Sequence, residues 1–382
     1  MKHVGIICEY NPFHHGHAYQ ISTVRGEADT VIALMSGNFT QRGEAAFLPP
    51  VPRAAAAIAG GADLVLELPF PFSAASARHF ATAGVRALSA LGADTLLFGS
   101  ETGELSTLLA LAQNAPDGEY RAGQKESRGD AAAYFDALGA EASSNDILAI
   151  EYLRAILKTK SALRPLAVRR EGSTYLDTAL DGVKFASATA LRAAWERGED
   201  VSSYLPSAVF AVLADAVQQY GIAKTAALGA PMLARLRCLD EVPLDAEIAE
   251  CGGGLLGRLV KSSFEAEDYA SLCALATTKR YTTGRIRRTL LYLLTGVTRE
   301  DLVAPPAYLR LLAANKKGRD FLAATAKTRQ IPVVTKQSEI AALGERAARQ
   351  RLLARRADGL YALCLDGVTP HDLQTAKPYF VT

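Results

Sequence analysis

No apolar run in this chain of 382 residues reaches the length needed to cross a bilayer. Even Leu290-Leu291-Tyr292-Leu293-Leu294 is soon interrupted. The amino terminus opens directly on a strand-like run and has no signal-peptide core. Cysteine is sparse: Cys8, Cys238, Cys251, Cys273 and Cys364 are five in number, widely spaced and without a Cys-x-x-Cys pair. That excludes a disulfide framework and a structural zinc, and it predicts free thiols in a reducing compartment. Excess charge is missing too. The formal net charge is only +2, so any contact with nucleic acid must rest on local basic patches. Internal repeats and low-complexity segments are absent. With 49% hydrophobic and 21% charged residues, the composition is that of an ordinary globular chain with room for two cores. The expectation is a soluble, cytoplasmic protein with no membrane contact.

Against this plain background one stretch stands out. The apolar run Val4-Gly5-Ile6-Ile7-Cys8 reads as a buried strand. It is followed by Glu9-Tyr10-Asn11-Pro12-Phe13-His14-His15-Gly16-His17, and then by Ala18-Tyr19-Gln20-Ile21, the first turns of a helix. Asn-Pro between strand and helix signals a tight loop, because proline fixes its own φ and restricts the residue before it. Helix N-termini carry unpaired N–H groups and partial positive charge, so a phosphate fits where this loop ends. His14-x-Gly16-His17 sets two imidazoles about one helical turn apart, with Gly16 allowing close approach of the backbone to a ligand. Two hydrogen-bond donors aimed at an α-phosphate suit nucleotidyl transfer, in which positioning and charge stabilisation do most of the catalysis. The bland alternative is a surface loop holding three of the six histidines. No Cys or carboxylate pair lies near at ligand spacing, so no metal site is expected.

Buried strands are predicted at Val4–Cys8, Thr30–Met35, Asp63–Leu68, Thr95–Phe98 and Leu166–Gly172. Helices are predicted between them: His17–Arg25, Arg53–Ala59, Ala77–Leu91, Leu105–Gln113, Gln124–Ala140, and one capped by Ser144 or Asn145 that runs to Lys158. The alternation predicts an α/β fold, a Rossmann-like open parallel sheet over residues 1–200, with ligands beyond the carboxyl ends of the strands. The second strand ends in Ser36-Gly37-Asn38-Phe39-Thr40-Gln41-Arg42-Gly43-Glu44, a segment suited to binding substrate or closing a lid. Glu67-Leu68-Pro69-Phe70-Pro71-Phe72 reads as a stiff structural turn. Gly99, Arg169 and Arg170 stand at later strand ends. Phe185-Ala186-Ser187-Ala188-Thr189-Ala190-Leu191-Arg192 joins a capping hydroxyl to an arginine within the next turn.

From residue 201 the pattern becomes mainly helical, with helices predicted at Pro206–Tyr220, Met232–Cys238, Ala246–Glu250 and Ala266–Ala276. Cys251-Gly252-Gly253-Gly254 reads as a flexible joint. The run from Lys279 to Arg288 holds Lys279, Arg280, Arg285, Arg287 and Arg288 with no acid, and Tyr281 offers a stacking surface for an RNA loop. A solvated helix face is the alternative. Lys316-Lys317-Gly318-Arg319 and the arginines of Glu345–Arg356 add positive patches. Leu309–Leu312 and Ile331–Lys336 suggest a small βα unit within this half.

Gly5 to Gln20, together with the segment Ser36 to Glu44, resembles the tRNA(Met) cytidine acetate ligase family of the His-x-Gly-His nucleotidyltransferase superfamily, and the similarity continues more thinly along nearly the whole chain. Ser187-x-Thr189-x-x-Arg192 resembles the signature that accompanies His-x-Gly-His in adenylyltransferases. The resemblance implies catalytic roles for His14 and His17. It implies ATP contacts along Ile7 to Gln20 and at Gly99, Asn145, Arg170, Ser187, Thr189 and Arg192. It also implies a substrate loop at Ser36, Gly37, Asn38, Gln41 and Arg42. Implied with these are Mg²⁺ accompanying ATP, acetate, and the wobble cytidine of elongator tRNA(Met), with RNA contacts at the basic run. No protein partner is inferred. The family usually has Pro after the Glu and a Lys soon afterwards. This chain reads Ala45 and Leu48-Pro49-Pro50-Val51-Pro52, leaving Arg42 and Arg53 as the nearby cations. Two other readings stay open: a small-molecule adenylyl- or cytidylyltransferase, and an RNA-binding protein whose catalytic site has decayed.

Overall fold

The structure, a computed structural model, describes residues 2–114, 143–170, 186–239 and 247–381. The helix expected over Gln124–Ala140 lies outside them, as do Glu171, Gly172, Phe185 and Ala246. Among the described residues one sheet has eight strands: β1 (His3–Cys8), β2 (Thr30–Ser36), β3 (Leu64–Leu68), β4 (Thr95–Ser100), β5 (Arg164–Arg169), β6 (Leu309–Ala314), β7 (Val333–Val334) and β8 (Tyr379–Phe380). Their order is β5-β4-β1-β2-β3-β6-β7, and β8 also pairs with β6. The five strands of the first half run parallel, as expected. The addition comes from the carboxyl-terminal third. The suspected βα unit is real, but β6 joins the sheet antiparallel to β3 and carries β7 and β8 at its two ends.

The connection from β1 to β2 uses α1 (His15–Arg25), and that from β2 to β3 uses α2 (Pro50–Ala59). The chain then crosses to the other side of β1 through α3 (Ala77–Leu91) to form β4, and continues into α4 (Leu105–Asn114). The strand order therefore reverses between β1 and β4, and the carboxyl ends of these strands flank the crevice where open α/β sheets bind ligands. Side chains alternate faces with a period of two. Val31, Ala33 and Met35 of β2 pack with α1, α2, α6 (Ala188–Glu196) and α7 (Ser207–Tyr220). Ile32 and Leu34 pack with α3, α4 and α5 (Ser144–Thr159). Both faces of the central strands are thus covered, which explains why β1 to β4 read as continuous apolar runs.

A third core gathers α8 (Gly229–Arg237), α9 (Leu255–Glu265), α10 (Tyr269–Ala276) and α11 (Thr283–Thr295). Phe39, Ala46, Phe70 and Ala74, from the loops after β2 and β3, belong to the same core. The remaining helices are α12 (Arg299–Val303), α13 (Lys316–Ala324), α14 (Glu345–Ala362) and α15 (Pro370–Thr375). Residues 248–254 depart from expectation. Ile248 bridges Thr298 instead of continuing a helix to Glu250. The glycine segment is no free joint: Arg285 donates to the carbonyls of Glu250 and Gly252, the Tyr281 hydroxyl donates to that of Gly253, and Cys251 is buried.

Candidate active site

The site is built on the end of β1. Tyr10 adopts a left-handed conformation (φ 44°) and the Asn11–Pro12 peptide is cis. The side chain of Asn11 accepts from the Phe47 N–H at 2.6 Å, which fixes the loop to the segment leading into α2. His14 is the N-cap of α1. Its Nδ1 accepts the Gly16 N–H at 3.1 Å, and the His14 N–H donates to Nδ1 of His17 at 3.3 Å. An Nδ1 that accepts a backbone N–H cannot carry a proton, so each neutral ring bears its hydrogen on Nε2. The cap thus converts both imidazoles into Nε2–H donors. The rings lie 3.9 Å apart at a shallow 32° tilt. Gly16 serves this arrangement: a Cβ there would lie 2.9 Å from Cε1 of His14. The glycine makes room for a histidine, where the sequence suggested room for a ligand.

Burial holds both imidazoles neutral. It pushes His14 down to about 3, aided by the positive charge of Arg170 and by His15. His17 is pushed well below the ordinary histidine range by burial, His14 and Arg170. Arg170 thus sits close enough to influence both rings. Gly99 makes this possible, since a Cβ on β4 would meet Cγ of Arg170 at 3.1 Å. Nε of Arg170 is 3.8 Å from Glu101, which also accepts from the Ser143 hydroxyl and from Nδ2 of Asn145 at 2.6 Å. Glu101 therefore ties three neighbours to the end of β4, although no strong local signal marks it in the sequence. The cap of α5 is Ser143, one residue before the expected pair, because its hydroxyl accepts from the Asp146 N–H.

Ser187 caps α6 as expected, accepting from the Ala190 N–H at 3.1 Å. Arg192 donates to the Asn11 carbonyl at 2.7 Å and lies 3.4 Å from the Thr189 hydroxyl. The His-bearing loop and the Ser-x-Thr-x-x-Arg segment, 181 residues apart, therefore meet.

The loop 36–44 closes another side. Gln41 N–H donates to Glu9 at 2.8 Å, and burial raises the Glu9 carboxyl against that bond. Arg42 reaches the Ser144 hydroxyl at 3.2 Å. Asn38 donates to Asp358 at 2.7 Å. A Cβ on Gly37 would strike the Glu67 carboxylate. Among the described residues Ser36 Oγ and Asn38 Oδ1 are buried without a partner. Arg53 is wholly buried, donating to the carbonyls of Leu48 (2.8 Å), Glu9 (2.7 Å), Ser36 (2.9 Å) and Gly37. It knits the loops after β1 and β2 together, so it does not supply the open cation suggested by the missing loop lysine.

Several of the residues expected to contact ATP turn their side chains into the core. Ile7 and Cys8 bury their side chains on opposite faces of the sheet, and burial pushes the Cys8 thiol up. Tyr10, Pro12 and Phe13 are buried, while His15, Ala18, Tyr19 and Gln20 are half-buried along α1. Among the described residues no group of three or more His, Cys, Asp or Glu is placed to hold a metal ion, and no helix is long and apolar enough to cross a membrane.

The basic run differs most from its expectation. Lys279 and Arg280 are exposed, but Tyr281 is buried and unavailable for stacking. Arg285 holds the carbonyls of Glu250 and Gly252. Arg287 is ion-paired with Glu44, and Arg288 with Glu250 at 2.7 Å. Three of the five expected RNA contacts instead fasten the helical lobe to itself and to the loop 36–44.

The family model for HIGH Nucleotidyl Transferase matches residues 1–375. The chain is 37% identical to the tRNA(Met) cytidine acetate ligase of Syntrophotalea carbinolica, covering 96% of this chain and 95% of that protein. It is 35% identical to the protein of the same name from Anoxybacillus flavithermus, covering 88% and 89%. Among solved structures it resembles Thermotoga maritima TmcAL without ligand (TM-score 0.90) and the same protein with alpha-thio ATP (TM-score 0.87). Each is 28% identical, with full coverage of both chains.

Proposed function

The chain belongs to the tRNA(Met) cytidine acetate ligase family, and from that premise we propose that it uses ATP to activate acetate and transfers the acetyl group to N4 of the wobble cytidine of elongator tRNA(Met). An acetate oxygen attacks the α-phosphorus, pyrophosphate leaves, and acetyl-adenylate forms. The cytidine amine then attacks the acetyl carbon, the bond to AMP breaks, and the amine gives up a proton. Neither step needs a covalent enzyme intermediate.

The observation that carries this reading is the pair of imidazoles held as neutral Nε2–H donors at the reversal of strand order. Negative charge builds on the α-phosphate oxygens as acetate attacks, and preorganised donors stabilise it without reorganisation. Arg170 lies beside these rings and adds positive charge there, while Arg192 with Ser187 and Thr189 holds the departing phosphates. Gly99 and Asn145 flank the nucleotide, and Gln41 and Arg42 close over it with the loop. Mg²⁺ binds largely through substrate phosphates and water. That mode suits a site whose Glu44 and Glu101 carboxylates already have partners, and the ion would add positive charge to the triphosphate. Lys279 and Arg280 are the members of the basic run left to face tRNA phosphates. The reading divides the labour between residues 1–200, which hold ATP, and residues 201–382, which engage the tRNA.

The test is incubation of the protein with ATP, labelled acetate and bulk tRNA, followed by digestion to nucleosides. Label in N4-acetylcytidine is expected. Transfer of AMP to another acceptor without acetate would favour a small-molecule adenylyltransferase instead.

A further inference from the structure

Glu44 joins three parts of the chain. One carboxylate oxygen pairs with Arg287 of α11, and the other lies 3.8 Å from Nη2 of Arg192 in α6. Arg192 is itself held by the Asn11 carbonyl and by Thr189. All three charged side chains are mostly shielded, with exposures of 26% for Glu44, 27% for Arg287 and 18% for Arg192. The contact with α11 is built into the backbone. Gly43 has φ 75°, and a Cβ there would lie 2.8 Å from the Arg288 nitrogen, so the close approach requires glycine.

We propose that Glu44 is a positioning residue for ATP: anchored by Arg287 of the helical lobe, its carboxylate sets the orientation of Arg192 towards the β- and γ-phosphates. This rests on the reading of Arg192 as a phosphate ligand. A guanidinium is a planar fork, so its direction determines whether it meets a phosphate with paired N–H groups or with one. The Asn11 carbonyl of the His-bearing loop holds Nη1, while Thr189, one turn back in α6, holds Nη2. Glu44 sets a fixed negative charge beside the same Nη2, leaving the N–H groups not so engaged for the ligand. Because the carboxylate is fastened to α11, the lobe that engages RNA and the arginine that engages ATP share one electrostatic element. The rival role for Glu44 is a simple fastening of the loop to the lobe.

The two roles separate in a charge swap. Glu44→Gln keeps the shape but removes the charge, and it should raise the KM for ATP in acetate-dependent adenylate formation roughly tenfold, with kcat changed less than about threefold. Exchanging the pair, Glu44→Arg with Arg287→Glu, restores an ion pair between loop and lobe but sets one arginine beside another. The double variant should recover the melting temperature of the wild type while its KM for ATP stays at least as high as that of Glu44→Gln. Full recovery of KM in the swap, or an unchanged KM in Glu44→Gln, would overturn the proposal. Arg192→Ala, run alongside, isolates the premise. If it too leaves the KM unchanged, the phosphate-binding reading falls with the proposal. If it raises the KM while Glu44→Gln does not, only the positioning role is lost.

Discussion

The loop after β1 and the run Lys279–Arg288 are both dense in chemistry-bearing side chains, and they are organised in opposite ways. The histidines of the loop take their defining hydrogen bonds from backbone groups two and three residues away. Their tautomers are fixed locally, and each ring keeps its hydrogen on Nε2. The arginines of the basic run find their partners at long range. Arg288 reaches Glu250 across 38 residues, and Arg287 reaches Glu44 across 243. Their charges are spent inside the protein. A short motif whose geometry is closed by its own neighbours can be read from sequence, whereas a charge run cannot, because its meaning depends on which carboxylates the fold brings to it.

The largest effect is expected on the local side of this contrast. His17→Ala should leave the protein folded and slow acetate-dependent release of pyrophosphate by roughly 10²–10³, the cost of one preorganised donor. Turnover near that of the wild type would remove the distinction, since the loop would then be no more catalytic than the basic run. On the long-range side, Arg288→Met should cost roughly 2 kcal/mol in denaturant unfolding, because it takes the charge partner from the largely shielded Glu250 carboxylate. A solvent-facing, RNA-binding arginine would give little stability loss and a shallower salt dependence of tRNA binding. Arg192→Ala tests the meeting point of the two regions. It should weaken ATP binding by roughly tenfold or more while leaving tRNA affinity unchanged; equal loss of both would indicate general damage.

The last effect concerns pH. Burial, with the neighbouring Glu67, pushes the Asp358 carboxyl up to about 7, although Asn38 donates to it. The folded chain therefore binds this proton more tightly than the unfolded chain. The stabilisation is present below the ordinary carboxylate range and is lost as pH rises through about 7. Asp358→Asn keeps an acceptor for Asn38 and should gain melting temperature relative to wild type between about pH 5 and about pH 8. His14, held low at about 3, works in the other direction: its neutral state contributes fully above the ordinary histidine pKa and costs stability as pH falls. It is common to both proteins and cancels in the difference. A constant gap in melting temperature would show that Asp358 titrates normally.

What could be read from sequence followed the same division between local and distant causes. The parallel strands, the bounds of α3 and the Ser187 cap follow from apolar periodicity and capping chemistry within a few residues. The Ser143 cap was missed by one position because three polar residues in a row all suit an N-cap. The antiparallel entry of β6 beside β3 was hidden, since nothing in Leu309–Ala314 names its neighbour. Arg53 reads as a spare cation in the sequence because the four carbonyls that consume it come from two separate connections, those after β1 and β2. The glycines 252–254 looked free because Arg285 and Tyr281, which clasp them, stand about thirty residues further along the chain.

The most direct test of the site is exchange of label between pyrophosphate and ATP, measured without tRNA in the wild-type protein with and without acetate. Exchange that requires acetate is expected, because the role proposed for the two neutral imidazoles is to assist attack of a carboxylate on the α-phosphate. Exchange independent of acetate, or bound ATP with no exchange in its presence, would contradict that role.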